Sequence, residues 1–529
     1  MSTPLDWSAT EIARHIAARE ISAREVVQAF ISRIEAVNPA LNAVVLPRFD
    51  EALAEAAAAD ERQTRGESLG LLHGVPMTFK ECFLVAGMPS TIGLTSARFQ
   101  QPVPRDGILT ERLRRAGVIL LGKTNLPQLM IWHGTDNPVY GATSNPWNAE
   151  RTPGGSTGGE AAIIAAGGSP LGLGNDMGGS IRVPCHFCGI HGLKPTSHRL
   201  PRTGSVSTLR GFDAIITQPG PMGRHVADLA LELRVLMEPD DYVTSDAAPM
   251  KLGDPKAVPL DKLKIAFWTD DGVFPASPAI RRAVREAAAA LAARGAEMIE
   301  FSADEVNRVF HTNEALDLYL GLLGADGGAG FRGLAAGSTR DWRVKRLLWL
   351  AGMSWPLRAA LVGSLSLAGQ NWQARLVRHA RARSAQSFWS LVQRKHAIDS
   401  EAVAALRQRG ISAVVCPPHA LPAPLATQAL DLIAAASYAY LFNLLSWPAG
   451  VVAATRVRPG EDAERAASPD IALRQARMAD TGSMGLPVGV QVGALPWRED
   501  VVLAVMGALE ESFRRGADYP SLQVPTAVK

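Results

Sequence analysis

Apolar positions recur along the chain with two periods, one helical and one too short to be helical. Val26, Val27, Phe30, Ile31 and Ile34 share one helix face. That helix opens at Ser22 and Glu25, a capping box in which each side chain meets the other's backbone N–H. Ser8 with Glu11 makes a second capping box ahead of it. Pro39 is expected to end the helix, because proline lacks the N–H the next turn needs. Residues 41–46 then read as a strand, 50–64 as an alanine-rich exposed helix, and 71–77 as a buried strand that delivers Lys80 at its end. A helix closing at 112–116 and the apolar run 117–121 repeat the alternation. So do strand 264–268, helix 278–294 with Ile280, Val284, Ala287, Ala288 and Leu291 on one face, and strand 298–301. Strand 411–416 and helix Glu499–Phe513 follow. The runs 239–262, rich in Asp and Pro, and 457–480, rich in charge, read as exposed connections. Short apolar runs alternating with amphipathic helices predict an α/β fold, with a large mixed, mostly parallel twisted sheet covered by helices on both faces. No internal repeat is visible.

Composition narrows the function classes. The 529 residues are 47% hydrophobic, ample for a large core, and 54 basic against 51 acidic residues leave a net charge of +3. That balance argues against a dedicated nucleic-acid binder. Four cysteines in so long a chain make no disulfide framework. Cys185 and Cys188 form a lone C-x-x-C without the second ligand pair a zinc site needs, so no metal is expected, and no cofactor motif occurs. The opening MSTPLDWSATEIARHI lacks the basic start and apolar run of a signal peptide, and no window is long and apolar enough to span a bilayer. A cytoplasmic protein is expected. The segment 340–392 stands apart: it is rich in arginine, has Asp341 as its one acid, and holds Trp342, Trp349, Trp355, Trp372 and Trp389. Basic helices with tryptophan and leucine opposite suit a membrane interface. They equally suit amphipathic helices packed on the core or across a dimer interface.

Candidate chemistry gathers in 152–195, a stretch dense in glycine that no helix or strand interior would tolerate. It holds two hydroxyl motifs 24 residues apart, Gly154-Gly155-Ser156-Thr157-Gly158-Gly159 and Gly178-Gly179-Ser180-Ile181-Arg182. The backbone N–H groups of Met177, Gly178, Gly179 and Ser180 form a row before a hydroxyl, the arrangement an oxyanion needs. Such loops also bind phosphates or simply turn the chain. Asp176 and Arg182 flank the second motif and are read as supports of its backbone. Lys80 has Phe79, Cys82, Phe83 and Leu84 as neighbours. Burial among them would lower its pKa and free a neutral amine to act as a base, whereas an ordinary lysine is a surface charge.

The string GGSTGGEAAIIAAGGSPLGLGNDMGGSIRVP, with Gly74-Val75-Pro76-Met77-Thr78-Phe79-Lys80 lying 76 residues before Ser156, resembles the amidase signature family of serine hydrolases, and most closely its fatty acid amide hydrolase branch. The resemblance runs from about residue 25 to 513, so residues 1–529 are read as a single amidase domain. It implies a Ser–Ser–Lys triad with Lys80 as base, Ser156 as bridge and Ser180 as nucleophile, working through an acyl-enzyme. It also implies an oxyanion hole at Met177, Gly178, Gly179 and Ser180 and a cis peptide bond between Gly155 and Ser156. Thr157 stands where many relatives carry a second serine and keeps the hydroxyl. Met130, Ile131 and Trp132 match the segment that lines the acyl channel, and 340–392 matches a membrane-binding cap, here a helical lid. The implied activity is hydrolysis of lipophilic, aryl or fatty amides, with esters and carbamates as further candidates. The small-molecule amide is the expected partner, in a homodimer with peripheral membrane contact. Two other readings share the motifs: a glutaminase-type subunit of a tRNA-dependent amidotransferase, and an interfacial binding protein without catalysis. Gly154-Gly155-Ser156-Thr157-Gly158 also fits the G-x-S-x-G elbow of α/β-hydrolases, but a loop rich in Pro and Asn precedes it instead of a strand, and that reading leaves Ser180 and Lys80 unexplained.

Overall fold

One sheet of eleven strands organises the chain. A computed structural model describes residues 3–522 except 68, 210, 239–246 and 464, so the first part of the 239–262 connection lies outside the described residues. In chain order the strands are β1 (Val44–Pro47), β2 (Pro76–Lys80), β3 (Ile119–Thr124), β4 (Leu171–Asp176), β5 (His191–Lys194) and β6 (Gln218–Gly223). Then come β7 (Lys264–Phe267), β8 (Glu297–Glu300), β9 (Ala413–Cys416), β10 (Ala449–Arg456) and β11 (Pro487–Ala494). Across the sheet they run β1-β3-β2-β4-β6-β5-β10-β11-β9-β7-β8. Helices such as Gly158–Ala165, Arg182–Cys188, Pro278–Ala292 and Glu499–Phe513 pack against it.

The mixed, helix-flanked sheet is the expected one, but its parallel share is smaller. Six of the ten neighbouring pairs are antiparallel; parallel pairing is confined to β3-β2-β4 on one side and β9-β7-β8 on the other. A strand buried on both faces reads as a continuous apolar run in either orientation, so the sequence pattern could not separate the two. Several boundaries also moved, and the run 457–480, expected as an exposed connection, holds the helix Ile471–Asp480 with Ala472, Ala476 and Ala479 buried. The helix that opens at Ser22 runs to Leu41 with Pro39 inside its last turn, and Asn42 closes it in the left-handed region at φ 52°. The strand before the lysine is Pro76–Lys80, and the apolar residues 71–74 form a turn.

The glycine-dense stretch 152–195, expected to lie outside helix and strand interiors, instead holds the helices Gly158–Ala165 and Arg182–Cys188 and the strands β4 and β5, because the glycines of β4 have a packing use that offsets their cost. A Cβ on Gly172 would sit 2.0 Å from Glu160 Oε1, so the glycine leaves the room that the Glu160 side chain occupies between the helix Gly158–Ala165 and the sheet. Glu160 uses the approach to accept hydrogen bonds from Thr78 on β2 and Thr124 on β3. The four helices Trp342–Ala351, Trp355–Leu367, Asn371–His379 and Ala385–Gln408 carry the basic segment. Trp342, Trp349, Trp355 and Trp389 are exposed on them, whereas Trp372 packs on Phe274 at 5.3 Å. Among the described residues no helix is long and apolar enough to cross a membrane.

One core position is at odds with its surroundings. Glu232, on the helix Val226–Leu236, is fully buried, and neither carboxyl oxygen has a hydrogen-bond partner. Burial, with Glu160 and Asp228 nearby, pushes its pKa well above the usual range and holds it neutral. An unpaired buried polar group costs about 1–3 kcal/mol. Glu232→Met, similar in length and apolar, is therefore expected to raise stability by about that amount, read as a higher urea midpoint. The folded-state pKa is raised, so the wild type keeps its stability below pH ~4.5 and loses it as the pH climbs toward the folded value. The advantage of the variant should widen over that climb; a lower midpoint at neutral pH would refute the argument.

Candidate active site

The third strand from one edge of the sheet ends in a lysine. β2 lies between β3 and β4, every residue of it is buried, and Lys80 is its last. The amine is fully enclosed, with Nζ 2.7 Å from Ser156 Oγ and 2.7 Å from Asn175 Oδ1. Burial pulls its pKa down to about 8, against a smaller opposing pull from Cys82, Asp176 and Glu81. A neutral amine is thus within reach at ordinary pH.

Ser156 lies in the loop that enters the helix Gly158–Ala165, and the Gly155–Ser156 peptide bond is cis. Thr157 ties this loop to the second motif. Its N–H donates to the Ser180 carbonyl at 3.1 Å, and its hydroxyl donates to the Asn175 carbonyl at 3.3 Å. Ser156 and Ser180 are thus joined through backbone: among the described residues no hydrogen bond links their hydroxyls. Ser156 is 2% exposed, while Ser180 is 9% exposed and faces a cavity.

The turn between β4 and the helix Arg182–Cys188 is built around an ion pair. Asp176 and Arg182 are both fully buried and bidentate, with Nε to Oδ2 at 3.0 Å and Nη2 to Oδ1 at 3.1 Å. The Asp176 carboxylate also accepts the N–H of Gly179 at 2.7 Å and of Ile181 at 3.1 Å, and the side-chain amide of Asn443 at 2.9 Å. Arg182 reaches on to the Ala439 carbonyl at 3.0 Å, Gln491 Oε1 at 2.7 Å and Asn443 Oδ1 at 2.5 Å. Desolvation works against the Asp176 charge, but Arg182 outweighs it and holds the carboxyl well below the usual range. The pair thus joins the turn to its own backbone and to the segments that carry Asn443 and Gln491.

The expected row of four donors is shorter by one. The Gly179 N–H is committed to Asp176, because the turn brings the carboxylate back over it. The N–H groups of Met177, Gly178 and Ser180 have no partner among the described residues. Their carbonyls are held from outside: His133 Nε2 lies 2.7 Å from the Gly178 oxygen, and the Tyr319 hydroxyl donates to the Met177 oxygen at 3.3 Å. A Cβ on Gly178 would meet the Tyr319 hydroxyl at 2.1 Å, so the contact requires glycine. Tyr319 and Tyr440 stack at 4.2 Å.

Ser180 opens on a cavity of about 180 Å³. Met130, Ile131 and Trp132 line it together with Met177 and Gly178. The far wall comes from Leu348, Leu376 and Ile433. Leu348 and Leu376 belong to the tryptophan-rich helices, which therefore cover the site. Arg343 fastens that cover: it lies 4.6 Å over the Trp132 ring and pairs with Asp136 and Asp341. Cys185 and Cys188 are buried free thiols whose pKa burial raises.

Asn175, Asn443, Gln491, His133 and Tyr319 hold the site without having been singled out in the sequence. Asn175 is adjacent to Asp176, but no local pattern marks an amide that acts across the fold.

Comparison with known proteins places the chain in a family. The Amidase family model matches residues 25–503. The chain is 34% identical to fatty-acid amide hydrolase 1 of Sus scrofa over 96% of its length and 86% of the relative's. It is 40% identical to a glutamyl-tRNA(Gln) amidotransferase subunit of Synechococcus sp. (strain CC9605), over 54% of its length and 58% of the relative's. A solved fatty acid amide hydrolase superposes with a TM-score of 0.82 at 26% identity, covering 98% of this chain and 86% of that one. With a family model spanning most of its length and a relative of this identity over nearly all of it, the chain belongs to the amidase signature family and is an amide-hydrolysing enzyme.

Proposed function

We propose that this enzyme cleaves lipophilic carboxylic amides through Lys80, Ser156 and Ser180. The carrying observation is the buried Lys80 amine 2.7 Å from the Ser156 hydroxyl, tied by Thr157 to a serine that faces an apolar cavity. Neutral Lys80 takes the Ser156 proton, and Ser156 takes that of Ser180. The Ser180 oxygen then bonds to the amide carbon, and the oxyanion forms against the N–H groups of Met177, Gly178 and Ser180. The proton returns through Ser156 to the amine nitrogen as the C–N bond breaks, since an unprotonated amine leaves poorly. Water, deprotonated by the same relay, attacks the acyl-enzyme; the acid departs and Ser180 regains its proton. The apolar wall and its helical cover favour fatty or aryl acyl groups, in keeping with the fatty acid amide hydrolases it resembles. They disfavour glutamine, whose polar end would lose its hydration there without replacement.

The test is turnover by the purified chain alone on p-nitroanilides of short, aryl and long acyl groups, with fluorophosphonate labelling mapped by mass. Expected are a label on Ser180, preference for the larger acyl groups, and a kcat/KM that rises with pH and levels off above about 8, as Lys80 loses its proton. Activity that appears only with glutamine and added protein partners would reject the reading.

A further inference from the structure

A base must aim its lone pair as well as possess one. Lys80 Nζ has two partners at 2.7 Å, Ser156 Oγ and Asn175 Oδ1. The two differ in kind. An amide oxygen carries no proton, so Asn175 can only accept an N–H, whereas a serine hydroxyl donates or accepts. With one N–H committed to Asn175, the amine's lone pair is left for the Ser156 proton. Asn175 cannot turn its nitrogen toward the lysine without losing its other contact, because its Nδ2 donates to Cys82 Sγ at 3.3 Å. Its backbone is fixed as well, on β4 opposite Pro219, with its carbonyl accepting the Thr157 hydroxyl. One buried residue thus touches the lysine directly and the serine loop through Thr157.

We propose that Asn175 is the positioning residue of this site, holding the Lys80 amine in the one rotation that points its lone pair at Ser156. The inference rests on the proposed role of Lys80 as base. The charged and titratable groups around the amine do other work. Glu81, next along the chain, accepts the N–H groups of Thr91 and Ile92. Lys123 on β3 donates to the Pro89 carbonyl and Ser90. Glu160 is held by Thr78 and Thr124, Asp176 by Arg182, and Cys82 receives the Asn175 amide. A carboxylate placed at 175 would be the one anion in hydrogen-bond contact with Nζ.

The experiment compares the pH dependence of kcat/KM for decanoyl p-nitroanilide in the wild type, Asn175→Asp, Asn175→Leu and Lys80→Ala. Asn175→Asp matches the native shape and keeps an acceptor, but it favours the ammonium. Its activity rise should move about one to two pH units higher and recover at the alkaline end. Asn175→Leu has no acceptor and should be about ten- to a hundredfold slower at every pH. A merely structural role would lower both variants without moving either profile. An Asn175→Asp profile superimposed on the wild type, or an Asn175→Leu rate equal to it, overturns the proposal while Lys80→Ala stays inactive. If Lys80→Ala keeps the wild-type rate and profile, the base assignment fails first and this inference falls with it.

Discussion

Ser180→Ala is expected to remove amide hydrolysis by a factor of about 10⁵ or more and to leave the fold intact. Losing the nucleophile of a group that works as one unit removes nearly all of its catalysis, so Lys80→Ala should be almost as severe. The alanine keeps the shape of the turn, because the serine contributes its carbonyl and not its hydroxyl to the packing with Thr157. Thermal unfolding should therefore be unchanged within error. The result also decides between two serines. If the G-x-S-x-G reading held, Ser156 would attack and Ser180→Ala would remain active. Ser156 lies deeper than Ser180, contacts a lysine instead of a histidine, and does not line the cavity. Near wild-type turnover in Ser180→Ala would overturn the proposed scheme outright.

The parts of this enzyme that could be read from the sequence are those written in local chemistry. Lys80, Ser156 and Ser180 lie in short motifs whose glycines permit tight turns closed to other residues, and the structure brings all three motifs to one end of the sheet. Helices such as Glu499–Phe513 fall on their expected bounds, because one face carries the apolar residues that the sheet buries. What escaped depends on contacts between distant segments. The antiparallel centre of the sheet follows from which strands meet, and strands buried on both faces carry no mark of orientation. That the Gly179 N–H is taken up follows from a side chain folding back on its own turn, which appears only once the fold sets Asp176 over Gly179. Asn443 and Gln491 reach Arg182 from 261 and 309 residues away. No spacing rule links them.

The same long reach makes Asp176 the position whose loss should weaken the fold most. Asp176→Asn retains the shape but removes the charge that balances a fully buried guanidinium, and it turns one acceptor into a donor facing other donors. Breaking one partner of a buried, hydrogen-bonded pair costs about 3–5 kcal/mol, because the other charge is left stranded. Arg182 is left with neutral partners alone, Gln491, Asn443, the Ala439 carbonyl and the one amide oxygen that remains at position 176. Removing both charges with Asp176→Leu and Arg182→Met leaves no stranded ion, so the double variant should unfold at a higher urea concentration than Asp176→Asn. The sign with pH follows from the carboxyl being held low. Its contribution is present above the unfolded value of 3.8 and is lost as the pH falls through the folded one. Acid should therefore narrow the gap between wild type and Asp176→Asn. Activity should fall too, since the carboxylate holds the Gly179 and Ile181 N–H groups and so sets the line of the free donors beside them. A single variant as stable as the wild type would mean that the site does not depend on this pair, and that the sheet and the tyrosine stack alone hold the oxyanion turn in place.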